Sequence, residues 1–227
     1  MTWKDRITKE PVNCSTHTGT SASPNIDSAW NYASGTEGTT IDGFDTELET
    51  KKELMGLIVC EKLGHAELLQ SSTDYRLRKV GILTGSGTQS DGCVNFAKAI
   101  VASHKKKWGK DLFLYAFVDQ NGEGYGILQK YLEAGLSVKL VSTYPALVDK
   151  YNVVGEYKLS KKRKTQLKNR VNDILGRGEE WVQRVTGAKR MVNIEQLLTY
   201  DTCDVASFYI SLVEKEMDED TLKQFRK

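Results

Sequence analysis

Six stretches of the chain carry a hydrophobic rhythm clear enough to name an element, and they alternate between helix and strand. Leu48, Met55, Val59, Leu63 and Ala66 recur at helical spacing behind a Thr46–Glu49 capping box, and Leu54, Leu57 and Ile58 widen the stripe. That pattern predicts a helix from about 46 to 70. Gly56 falls inside it, where it would let a strand approach closely. Residues 80–83, entered through Arg78 and Lys79, form a short aliphatic run that predicts a strand. Ser90 or Asp91 then caps a helix whose buried stripe is Val94, Ala97, Ile100 and Val101. Its last turn collects Lys105, Lys106 and Lys107, where the helix dipole favours cations, and Gly109 ends it. Residues 112–118 carry no polar side-chain group except the Tyr115 hydroxyl. A run like that suits a strand covered on both faces, as in a parallel sheet. Residues 127–134 predict a short helix closed by Gly135, and 138–141 a further strand that ends before Pro145.

Strands separated by helical segments point to right-handed βαβ units. The expected fold is α/β, a mostly parallel, Rossmann-like sheet with flanking helices over residues 44–150. A loop-rich or extended arm, 1–43, would precede it, and a mainly helical, basic part, 151–227, would pack on the core. Two glycine-rich segments follow the strands of this sheet: Thr84, Gly85, Ser86, Gly87, Thr88, Ser90 and Asp91 after the first, and Asp119 to Gly126, including Gly122, after the second. Both would lie outside the carboxyl ends of the strands, the usual ligand edge of such sheets. Backbone amides between a strand and a helix N-terminus favour phosphate or carboxylate. The segments lack the lysine and serine of a P-loop and are not GxGxxG, so the ligand is named only by its charge.

Charge divides the chain. Residues 1–50 hold 3 Lys/Arg against 8 Asp/Glu, and residues 151–200 hold 11 against 5, although the whole chain is only +2. Lys161, Lys162, Arg163, Lys164, Lys168 and Arg170 form a basic block that could contact phosphates of a nucleic acid. The same block could be a solvated face, or could pair with the acidic arm within one chain or between copies in an oligomer. The tail after residue 213 reads as a solvated helix.

Hydrophobic and charged fractions of 39% and 27% belong to an ordinary globular protein. No apolar run approaches the roughly 20 residues of a membrane span. The first residues lack the apolar core of a secretory signal. The four cysteines, 14, 60, 93 and 203, form no CxxC pair, which favours reduced thiols in a cytoplasmic setting and gives no zinc site. Asp119 with Asp91 and Glu123 could hold magnesium only if the three carboxylates converge. His104, Lys106 and Asp111 match the letters HxKxxxxD once, with no GSxN following, which is a chance match.

From 51 to 143 the order of elements is similar to the small domain of the tryptophan-synthase-like, fold-type II pyridoxal phosphate enzymes, and Gly87-Thr88-Gln89-Ser90-Asp91 resembles their Gly-x-Gln-Ser-Asn loop. The resemblance implies that this loop holds a substrate carboxylate. It also implies that Lys51 or Lys52, at the start of a helix, forms the Schiff base. Three functions are therefore expected: a small anionic ligand at the glycine segments with its chemistry unassigned, a nucleic acid or self-assembly on the basic block, and a pyridoxal phosphate domain.

Overall fold

The strand at the centre of the sheet is made by residues whose spacing predicts a helix. The computed structural model describes residues 3–4, 11–12, 21–22, 26–28, 48–50, 53–84, 91–142, 157–158, 160–162, 164–166, 168–169, 190–200 and 204–227. In chain order the first elements are β1 (Trp3–Lys4), β2 (Pro11–Val12), β3 (Ser21–Ala22), β4 (Ile26–Ser28), β5 (Leu48–Thr50) and β6 (Leu57–Cys60). Then come α1 (Leu63–Ser71), a 3-10 turn at Tyr75–Lys79, β7 (Gly81–Thr84), α2 (Asp91–Trp108), β8 (Leu114–Phe117), α3 (Gly122–Glu133) and β9 (Val138–Leu140). The last are β10 (Tyr157–Lys158), β11 (Arg190–Met191), α4 (Ile194–Tyr200), α5 (Val205–Glu216) and α6 (Glu219–Arg226).

Four strands run parallel in the order β7-β6-β8-β9, and β3 adds an antiparallel fifth beside β7. The expected α/β fold with a mostly parallel sheet is therefore present. The expected helix over 46–70 is not. Residues 57–60 are bonded to a strand on each side, and the helix begins only at Leu63. Leu-Ile-Val-Cys is four apolar residues, two of them β-branched, a run that fits a buried strand and a helix stripe equally well. Burial on both faces decides for the strand: all four of its residues are buried.

Alternate residues supply the two faces. Leu57 and Val59, with Leu83, Leu114 and Ala116, meet Phe96, Ala97 and Ile100 of α2 and Ile127, Leu128 and Tyr131 of α3. Ile58 and Cys60, with Ile82, Tyr115 and Phe117, meet Ala66 and Leu69 of α1, Leu197 of α4, Phe208 and Tyr209 of α5 and Phe225 of α6. Right-handed crossovers explain the division. The connection from β6 to β7 steps one way along the sheet and the next steps back, so their helices land on opposite faces. Gly56 makes the close approach its position suggests: a Cβ there would stand 2.3 Å from Cε2 of the Tyr115 ring, which covers it from the neighbouring strand.

Three polar side chains, His104, Lys79 and Tyr75, fix the ends of these layers. His104 is buried, with Nε2 accepting from the Leu54 amide at 3.2 Å and Nδ1 facing the Lys110 carbonyl at 3.1 Å. The amide must donate, so the ring proton sits on Nδ1 and the histidine joins α2 to the strands. Its place among the letters HxKxxxxD is thus a structural one. The tail is the expected helix with most of its residues exposed, but its last turn is seated on the fold. Phe225 of α6 is 1% exposed, Lys79 Nζ donates to the carbonyls of Gln224 and Phe225 at 2.9 and 3.1 Å, and the Tyr75 hydroxyl donates to that of Arg226 at 2.6 Å. The free carbonyls at a helix end are satisfied by a cation and a hydroxyl, which seats the helix. Among the described residues no helix is long and apolar enough to cross a membrane, and Cys60 and Cys93 are buried. Cys14 and Cys203 lie outside the described residues.

Candidate functional site

A parallel sheet whose connections reverse direction leaves a crevice at the carboxyl ends of the two strands where the reversal falls. Here that point lies between β6 and β8. Glu61 and Lys62 leave β6 there, Asp119 and Gln120 leave β8, and Thr84 ends β7 on the same rim. Thr84 is fully buried. The two glycine segments therefore start from parallel strands on one rim, with β6 between them.

The two sides of this rim are built differently. On the α1 and α4 side the crevice is filled by the chain itself. Gln120 bridges to Val192, its amide donating to the Val192 carbonyl at 2.8 Å. Asp119, 3% exposed, accepts from the Ile194 amide through Oδ1 at 2.9 Å and takes Lys62 Nζ on Oδ2 at 2.7 Å. Burial penalises the Lys62 ammonium, but its bond to Asp119 and the charges of Asp119, Glu195 and Glu61 outweigh that and hold its pKa above the ordinary lysine value. Asp119 is thus a structural anchor for the 192–195 segment rather than an open ligand. Among the described residues no group of three or more His, Cys, Asp or Glu could hold a metal ion. Asp91 stands apart on α2, with Lys130 Nζ 3.4 Å away.

Glu61 belongs to the other side. It continues the alternation of Leu57 and Val59 toward α2 and α3, and its Oε2 accepts from the Asp119 amide at 2.8 Å. Burial, then the Asp119 charge, push its pKa up to about 7. The amide bond and Lys62 oppose the rise, and Glu123 adds to it. A carboxyl that changes charge near neutrality can both accept and donate a proton.

The second glycine segment is not a loop. Gly122, Gly124 and Gly126 all lie in the first turns of α3, and Asn121 caps it by accepting from the amides of Glu123 and Gly124 at 2.9 and 2.8 Å. Two of the amides expected to meet an anion are therefore already occupied. Gly122 is open, with Gln166 Cβ 3.9 Å from where its own Cβ would be. Gly124 is enclosed: a Cβ would stand 2.3 Å from the Asp119 carbonyl oxygen and 3.1 Å from Glu61 Oε2. Of the first segment, Thr84 and Asp91 bracket the site, while Gly85, Ser86, Gly87, Thr88 and Ser90 lie outside the described residues.

Sequence reasoning missed the polar chain beneath Lys62. His65 Nδ1 lies 2.9 Å from the Tyr209 hydroxyl, and Tyr209 stacks on Phe117 with ring centres 3.8 Å apart. Burial pushes the Cys60 thiol far up, against a smaller opposing effect of its bond to Tyr209, so it is no nucleophile. Burial likewise holds His65 below the ordinary histidine value. Nothing local to His65 signals a partner 144 residues later in the chain.

In the basic block, Lys161, Lys162, Lys164 and Lys168 are helical, and all but the half-buried Lys164 are exposed. Arg163 and Arg170 lie outside the described residues. Lys161, Lys164 and Lys168 share one helical face by their spacing, and Gln166, near Gly122, lies on the opposite one. Lys51 and Lys52 also lie outside the described residues, and the first described helix after them begins at Leu63. From α1 the elements run helix, strand, helix, strand, helix, strand, the order that the resemblance implies. No family model matches the chain, and no curated protein matches it either.

Proposed function

We propose that the protein binds a small anionic ligand, a nucleotide or another phosphate- or carboxylate-bearing molecule, at the carboxyl rim on the α2 and α3 side. The observation that supports this is that the connections after β7 and β8 step the same way along the sheet, which puts α2 and α3 on one face with their starts on one rim. A helix N-terminus in general favours an anion through its first amides and a partial positive charge. Asn121 occupies two amides of α3, so the anion falls to the residues between Thr84 and Asp91. The far side is filled by the 192–195 segment and contributes rigidity.

Thermal denaturation with AMP, inorganic phosphate and citrate tests this. A ligand held at about 100 times its Kd stabilises by about 2.7 kcal/mol, a rise of roughly 5–10 °C for a chain of this size. Gly87→Val should abolish the rise. No rise with any of the three, or the same rise in Gly87→Val, would overturn the reading.

A second reading rests on the Lys161, Lys164 and Lys168 face. Three cations on one helical face fit contacts to successive phosphates of a nucleic acid, blind to sequence. Reversing all three to Glu should weaken binding to any RNA or DNA equally and reduce the salt slope by about three, since each lost phosphate contact lowers it by about one. A slope unchanged by the reversal would make this a solvated face.

A further inference from the structure

We propose that the Tyr125 hydroxyl is a ligand contact which, with Glu61, receives a neutral hydroxyl- or amino-bearing part of the molecule bound at the carboxyl rim. This rests on the small-ligand reading above and names what the rest of that ligand must be.

Tyr125 is 1% exposed, and its hydroxyl has no hydrogen-bond partner among the described residues. A buried hydroxyl without a partner is costly, and phenylalanine would fill the same space without that cost. Such a group is best explained by a partner that arrives from outside. Side chains on a helix lean toward its N-terminus and lie over the preceding turn. The ring of residue 125, in the first turn of α3, therefore covers the turn that begins at the carboxyl rim. Its face is that of Glu61, because Tyr125 packs with Leu57, Val59 and Leu83, and its neighbour Gly124 borders Glu61 Oε2. A carboxyl and a phenol on one rim suit the hydroxyls of a sugar or an amino group. Glu61 with Glu123 nearby repels a phosphate, so the charged part belongs at the start of α2 and the neutral part here.

The test compares wild type and Tyr125→Phe by calorimetric titration with AMP, ribose 5-phosphate and inorganic phosphate, and by melting of the free proteins. AMP or ribose 5-phosphate should bind wild type more tightly than inorganic phosphate does. The variant should melt higher when free, lose roughly tenfold in affinity for the organic phosphate, and bind inorganic phosphate as before. A variant that melts lower already has a partner for that hydroxyl and overturns the inference. So does a variant that binds the organic phosphate as tightly as wild type, while leaving the small-ligand reading in place. If none of the three probes binds wild type, this inference is overturned, and the small-ligand reading falls with it only if citrate also fails to raise the melting temperature.

Discussion

Gly124→Ala should cost about 3 kcal/mol or more, and Gly122→Ala, two residues earlier in the same helical turn, should be neutral or stabilising by up to about 1 kcal/mol. Intrinsic helix propensity favours alanine at both positions, so a difference of sign has to come from the surroundings. At Gly124 the new methyl would stand 2.3 Å from the Asp119 carbonyl oxygen and 3.0 Å from the Asp119 nitrogen. Neither atom can give way. The Asp119 amide is held by Glu61, its carbonyl accepts from the Asn121 amide, and its carboxylate is held by Ile194 and Lys62. The strain must instead move α3 away from the rim or break the bond between Glu61 and Asp119. At Gly122 the methyl meets only Gln166 Cβ, at 3.9 Å. Urea denaturation of the two variants measures the contrast. Equal midpoints would mean that the rim is far softer than its hydrogen bonds imply.

The elements that were legible in the sequence are those whose length or punctuation leaves one choice. The α2 stripe runs for 18 residues and stops at Gly109, whose φ of 68° suits glycine. The 112–118 run is too long and too apolar to be anything but buried, and α3 ends before Gly135, at φ 78°. The central strand was not legible because four apolar residues carry no period of their own, and the residues around them complete a helical stripe by coincidence. The better signal was Gly56, a poor helix residue just ahead of an aliphatic run, and the right sense of its close approach was a ring on the next strand. That one error hid half of the site. With residues 46–70 read as helix, Glu61 and Lys62 become surface positions on it, whereas the turn from β6 to α1 puts them at the crevice. Asp119 could be found because it ends an unmistakable strand. Its partners Ile194 and Lys62 could not, since pairing across the chain leaves no local pattern.

Glu61→Gln should remove a fall in stability that the wild-type protein shows between about pH 4.5 and 7. The pKa of Glu61 is raised from 4.5 to about 7, by burial first and by the Asp119 charge second. The folded state therefore holds the proton more tightly than the unfolded chain does. Its contribution is complete below about pH 4.5 and is lost as pH rises through 7, a change of roughly 3 kcal/mol at about 1.4 kcal/mol per pH unit. His65 works in the opposite direction. Burial lowers its pKa from 6.5, so its contribution is lost as pH falls, and the two slopes partly cancel in the wild type. The difference between wild type and variant isolates Glu61. Glutamine keeps an acceptor for the Asp119 amide and carries no charge, so the two proteins should match near pH 4.5 and the variant should be the more stable at pH 8. Chemical denaturation across that range gives the difference curve, and two parallel curves would show that the carboxyl is already charged at low pH. The same titration bears on ligand binding. A carboxyl that loses its proton near neutrality on the rim where an anion is proposed should weaken that anion's binding as pH rises through 7, and Glu61→Gln should make the affinity flat over the same interval.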